Sequence, residues 1–150
     1  MWRNVVLAAL GATGFALLFG IKRTKMGFIF VASGVAWYGY EILCRSLKKE
    51  EIAMYIVTVM VVLFAKILTL FVDGSVMMFT TPILIPFIPG ATLYYVMRDL
   101  LNQSREIILD MESLVEQLGA MVLGIISAEI IIVVVEKIKK LLLMEHLNGN

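Results

Sequence analysis

Residues 76–97 read VMMFTTPILIPFIPGATLYYVM, an apolar run holding all three prolines of the chain, Pro82, Pro86 and Pro89, with Gly90 directly behind the last. A run of this length can cross a bilayer core ~30 Å thick at 1.5 Å per helical residue. It cannot do so as one straight helix, because each proline removes a backbone donor and clashes with the preceding turn. Backbone that leaves the helix at membrane depth survives only inside protein or against a watery cavity. The run is therefore expected to break at Pro86–Gly90, with Gly90 allowing a tight restart and a short second helix from Ala91 to about Gln103.

Four more apolar blocks flank this one, at Val5–Ile21, Met26–Leu43, Ile52–Val72 and Leu118–Val135. Together they make the chain 61% apolar and only 17% charged, where a soluble domain has about half and a quarter. Basic groups close the blocks: Lys22, Arg23 and Lys25; Arg45, Lys48 and Lys49; Lys137, Lys139 and Lys140. Asp73-Gly74-Ser75 forms the turn before the proline run. Such punctuation suits headgroup contact. The reading is an all-α membrane protein: one transmembrane domain over residues 1–150, a bundle of four or five spans with a broken fourth segment. The first block resembles a signal peptide, with Arg3 ahead of the apolar run, but with Met1 present it is read as a retained span.

From Ser104 the pattern turns amphipathic. Ile107, Ile108, Met111, Leu114, Val115 and Leu118 share one face, and Glu106, Asp110, Ser113 and Gln117 another. An amphipathic helix before the last span, lying at the interface or capping the bundle, is expected. Ala8, Ala12, Ala16 and Gly20 form a small-residue stripe on the first span, and Ala120, Gly124 and Ala128 a second on the last, the pattern that lets membrane helices approach closely. Trp37, Tyr38 and Tyr40, late in the second block, suggest an interfacial aromatic belt. Orientation is not legible: if all five blocks span, six Lys/Arg lie on each side, Lys66 set aside.

The net charge of +1 indicates neither a nucleic-acid surface nor an acidic partner. The lone Cys44 excludes an internal disulfide and a multi-cysteine metal site. His146, near the C-terminus, is a poor ligand. No nucleophile–base pair, metal cluster or phosphate loop is visible, so neither an enzyme nor a cofactor is expected.

Three ionisable residues fall inside apolar blocks, where a central charge costs roughly 2.5–3.5 kcal/mol on insertion scales. Glu41 lies four residues before Arg45 and reads as half of an interfacial ion pair. Lys66 sits six residues, about 9 Å, from its block's end, so it either snorkels or serves function. Glu129 has a shorter stem, apolar neighbours onward to Val135 and the small stripe beside it. It is either a proton carrier or a structural hydrogen-bonding group facing another helix. All three stand as candidates for proton coupling or gating.

Transporters often hold substrate near the midplane, where a broken helix presents its N-terminus. That end carries about half a positive charge and free N–H groups, which suit a carboxylate. Ile88-Pro89-Gly90-Ala91-Thr92 offers such an end, with Thr92 and Tyr94 as polar handles. The alternative is a kinked span without a ligand.

The stretch Pro86-Phe87-Ile88-Pro89-Gly90, then Tyr94 and Met97, resembles the P-x-x-P-G-x-x-x-Y-x-x-M stretch of the threonine/serine exporter family. The Gly14–Gly20 run, the basic turn after it, the Gly34–Tyr40 region and a third span leading into the prolines fall in the family's order, so the likeness covers nearly the whole chain. It is similar above all to the family's small subunit, which corresponds to the C-terminal membrane half of fused members. The resemblance implies export of threonine and serine across the cytoplasmic membrane, proton-motive-force driving, and a larger membrane subunit as partner. It implies Pro86, Pro89, Gly90 and Tyr94 as motif residues, with Thr92 where a small or hydroxyl residue is usual. Glu129 and Lys66 match no signature of the family. Two other readings remain: a subunit exporting small dicarboxylates, and a membrane scaffold that transports nothing.

Overall fold

Every apolar block folds as a helix, and the proline run folds as two. A computed structural model describes residues 2–103 and 106–148, with the backbone alone for residues 143–148. Ser104 and the His146 side chain lie outside the described residues. The helices are α1 (Trp2–Leu18), α2 (Arg23–Leu47), α3 (Glu50–Leu68), α4 (Val76–Leu84), α5 (Gly90–Leu101) and α6 (Ile107–Asn148), with a 3-10 turn at Ile85–Phe87. Among the described residues there is no strand.

Local chemistry sets the ends. Gly20 takes the left-handed conformation at φ 70°, and the Ile21 N–H returns to the Ala16 carbonyl, closing α1. Lys48 closes α2 in the same region at φ 54°, its N–H bonded to the Cys44 carbonyl. The Ser75 hydroxyl caps α4 by accepting from the Met78 N–H at 3.2 Å. Pro82 is accommodated inside α4, and helix is lost only where Pro86 and Pro89 follow, giving a 50° bend between the two pieces. The expected break is therefore present, with α5 restarting at Gly90.

Among the described residues, three helices are long and apolar enough to cross a membrane, namely α2, α3 and α6 over Ile107–Leu142, and the bent α4–α5 pair makes a fourth if it is one span. Helix α1, at 17 residues, is a shorter apolar helix. At about 1.5 Å per residue it falls a few Å short of a ~30 Å core.

Most of both small-residue stripes is buried where helices meet, with Gly20 exposed and Ala120 half-buried. Ala8, Ala12 and Ala16 are shielded on α1, which packs chiefly on α2, and the Ser33 hydroxyl of α2 reaches the Ala8 carbonyl at 3.3 Å. On α6, Ala128 is fully buried against Val62 of α3. Gly124 lies so close that an added Cβ would stand 3.0 Å from the Tyr55 carbonyl oxygen.

The separate amphipathic helix is corrected. Residues 107–148 form one continuous helix of 42 residues, and the last span is its later part. No proline interrupts it, so the change from amphipathic to uniformly apolar at Leu118 marks a change of surroundings and not a break in the backbone. The aromatics late in α2 also pack on other residues. Trp37 and Tyr40 turn inward onto Phe87, at ring separations of 5.2 and 5.6 Å, while Tyr38 stacks on Trp2.

Contacts along α3 fix the chain's path. Glu50 meets Gln117, Thr58 meets Gly124 and Lys66 meets Glu136, so numbers rise together and α3 and α6 run parallel. Two parallel helices joined in sequence need a return crossing between them. The bent α4–α5 pair supplies it, and so it traverses the bundle instead of turning back to the side it left.

Candidate transport site

The broken segment lies between the middle of the bundle, where Ile83 packs, and the Glu50 end of α3, which Thr92 reaches through Gln117. Phe87 is buried beside Trp37, near the middle of α2, and Ile83 sits in a crevice with Val57 and Phe64 of α3. Pro86 and Ile85 face α1, and together with Asn4, Gly11, Phe15 and Trp37 they line a cavity of about 420 Å³. Here the irregular backbone at Ile85 and Pro86 meets open space.

The motif residues divide among different surroundings. Pro86 lines the cavity, and Pro89 is buried as the residue preceding α5. Gly90 is exposed, and a Cβ there would meet nothing within 4 Å. No side chain caps the start of α5, and its first N–H groups have no carbonyl a turn earlier within the helix. Thr92 points elsewhere: its hydroxyl donates to Gln117 Oε1 at 3.5 Å, while Gln117 Nε2 donates to Glu50 Oε2 at 3.4 Å and to Ser113 Oγ at 3.1 Å. Tyr94 is 65% exposed, with its ring edge-on to Tyr95. Pro86 and the α5 start thus belong to the break itself, whereas Thr92 and Tyr94 lie outside the cavity.

The three intramembrane charges also part ways. Lys66 is paired with Glu136 of α6, one residue beyond the end of the apolar block. Glu129 is half-buried and finds no ion-pair or hydrogen-bond partner among the described residues. Glu41 is more enclosed than an interfacial pair requires. Its side chain is 14% exposed, Arg45 Nη2 stands 3.9 Å from its Oε2, and its Oε1 accepts from Asn4 Nδ2 and Trp37 Nε1, each at 3.2 Å. Both donors line the cavity.

Sequence reasoning missed Asn4, Trp37 and Glu136. The i,i+4 spacing of Trp37 and Glu41 could have signalled the indole contact. Asn4, 37 positions from Glu41, gave no such signal.

The profile of the family described as Threonine/Serine exporter, ThrE, matches residues 4–131. That stretch includes Asn4, Glu41, the whole broken segment and Glu129. No curated protein and no solved structure matches the chain. The match, the apolar helices and the broken fourth span agree, and the chain belongs to the threonine/serine exporter family as a multi-pass membrane protein.

Proposed function

We propose that the chain is the small subunit of a two-component exporter of threonine, serine or similar small amino acids in the cytoplasmic membrane, working with a larger membrane subunit and driven by the proton motive force. The observation that carries this reading is the helix break at Ile85–Pro89, bordering the cavity lined by Pro86. The uncapped start of α5 receives the substrate carboxylate through backbone N–H groups, favoured by the helix dipole. Glu129, a carboxylate without a partner on a membrane helix, carries the coupled proton. Lys66, held by Glu136, acts on the path only through the α3–α6 contact. A small dicarboxylate suits the site less well, because the Glu41 carboxylate, bonded to Asn4 and Trp37 of the cavity wall, would repel a second negative charge.

The test is threonine efflux from loaded cells that express this chain, the larger subunit, or both. Efflux is expected only with both, and the two should co-purify from membranes. Full efflux from this chain alone would overturn the two-component reading, and none in any combination would overturn the exporter.

A further inference from the structure

We propose that Asp99 of α5 and Asp110 of α6 form a proton-binding site, a carboxyl pair that takes up one proton as pH falls and so clasps the end of α5 to α6. The clasp rests on the exporter reading only for what it acts on, because α5 begins at the break where that reading places the substrate carboxylate.

Helix register brings the two residues together. Helices α5 and α6 pack against each other as an antiparallel pair joined by a short turn, and the Thr92 hydroxyl of one bonds to Gln117 of the other. Asp99 lies seven residues after Thr92 and Asp110 seven residues before Gln117, two turns along the shared face from that bond. Their side chains interact. Asp99 is 2% exposed, whereas Asp110 is half-buried and so open to exchange with water. Asp110 stands 19 residues before Glu129, about 28 Å along the same helix, which makes the pair a separate proton site.

The buried carboxylate is short of a donor. Asp99 Oδ1 accepts from Arg98 Nε at 2.7 Å, while Oδ2 is buried and receives no hydrogen bond. A buried charged oxygen left so is costly. Asp110 cannot relieve it while ionised, because a carboxylate only accepts. Once protonated it donates, and an O–H···O⁻ bond is among the shorter and stronger kinds. Arg98 decides which member carries the proton. Its guanidinium is bonded to Asp99 and lies 5.0 Å from the Tyr95 ring centroid, so Asp99 keeps its charge and Asp110 takes the proton.

Among the described residues, the charged groups that act on Asp99 are Arg98 of its own helix and Asp110 of α6. Tyr94 and Tyr95 lie near Arg98. Along α6, Glu106 stands one turn before Asp110, its carbonyl accepting from the Asp110 N–H, and Glu50 of α3 is bonded to Gln117 two turns after. The clasped state holds one proton more than the open one, so acid favours it.

Infrared spectroscopy of the purified full-length chain reads the proton through the C=O stretch of a protonated carboxyl. That band is expected to grow between about pH 7.5 and about pH 5, the direction in which close carboxyl pairs take up a proton, and to lose a component in Asp110→Asn. Thermal midpoints read the clasp. Asp110→Asn supplies an amide donor to Asp99 at either pH, so it should melt about 2–4 °C above the parent at the higher pH and level with it at the lower, the size of one hydrogen bond. Asp110→Ala removes the charge without supplying a donor and should show no such gain. A band that Asp110→Asn leaves unchanged would overturn the proposal. So would Asp110→Ala melting as high as Asp110→Asn, which would mean relief of repulsion alone. Neither measurement depends on transport: a chain that passes both but supports no threonine efflux keeps the proton site and loses the exporter reading.

Discussion

Gly124 of α6 lies directly against Thr58 of α3: a Cβ added to the glycine would stand 2.9 Å from the Thr58 Cβ and 3.0 Å from the Tyr55 carbonyl oxygen. Neither atom can swing aside, since one is a helix carbonyl and the other the root of a fully buried side chain. Gly124→Ala is therefore expected to force α3 and α6 apart and destabilise the chain by about 1–3 kcal/mol, as overpacking does. Gly34 is the matched control, because an added Cβ there meets Val5 and Ala9 at 3.6 and 3.8 Å, ordinary contact distances. Unfolding in detergent should separate the two substitutions, and equal midpoints would refute the close approach.

The ion pair between Lys66 and Glu136 ties the same two helices at their other end. Lys66→Met leaves Glu136 without its partner and should cost about 1–2 kcal/mol, between the values for exposed and buried pairs. Exchanging the charges, with Lys66→Glu and Glu136→Lys together, should recover most of that loss. The thermal midpoints of the two variants measure it. A single variant as stable as the parent would mean the pair contributes nothing.

Gln117 joins three partners on three segments, whereas Thr92 supplies only one of those bonds, at 3.5 Å. Gln117→Leu should thus lower stability by about 1–3 kcal/mol, and Thr92→Ala by about 1 kcal/mol or less. If Thr92 also touches the substrate, Thr92→Ala will depress efflux far more than it depresses stability. Efflux assayed beside unfolding distinguishes the two roles.

Glu129→Gln tests proton coupling. The substitution keeps size and hydrogen bonding but removes the titrating group, so subunit association should persist while the response of efflux to an imposed pH gradient weakens. Unchanged gradient dependence would make Glu129 structural and move the coupling group to the partner.

Prolines and stripes were legible in the sequence because their effects are local. Pro86, Pro89 and Gly90 act on the backbone where they stand, and alanines spaced by four share a helix face whatever lies opposite. The surroundings of Glu41 were not legible in the same way. Its i,i+4 partner Arg45 could be read, but the donors that orient it depend on which face of α1 meets α2, and Asn4 reaches it only after that packing. Trp37 and Tyr40 were ambiguous for a related reason: an aromatic near the end of an apolar block suits headgroups and a core equally, and their contact with Phe87 depends on where the break falls. The continuity of α6 was hidden because polarity reports the solvent around a helix, and a helix can pass from one solvent to another without a break.

The shared direction of α3 and α6 also governs what can be attached to the molecule. Helix α1 runs with α3, as its Asn4–Glu41 and Ala8–Ser33 contacts along the descending α2 require. The chain thus runs along the bundle an odd number of times, and Trp2 and Leu142 lie at its opposite ends. A single partner that held both termini would have to reach the full length of the bundle.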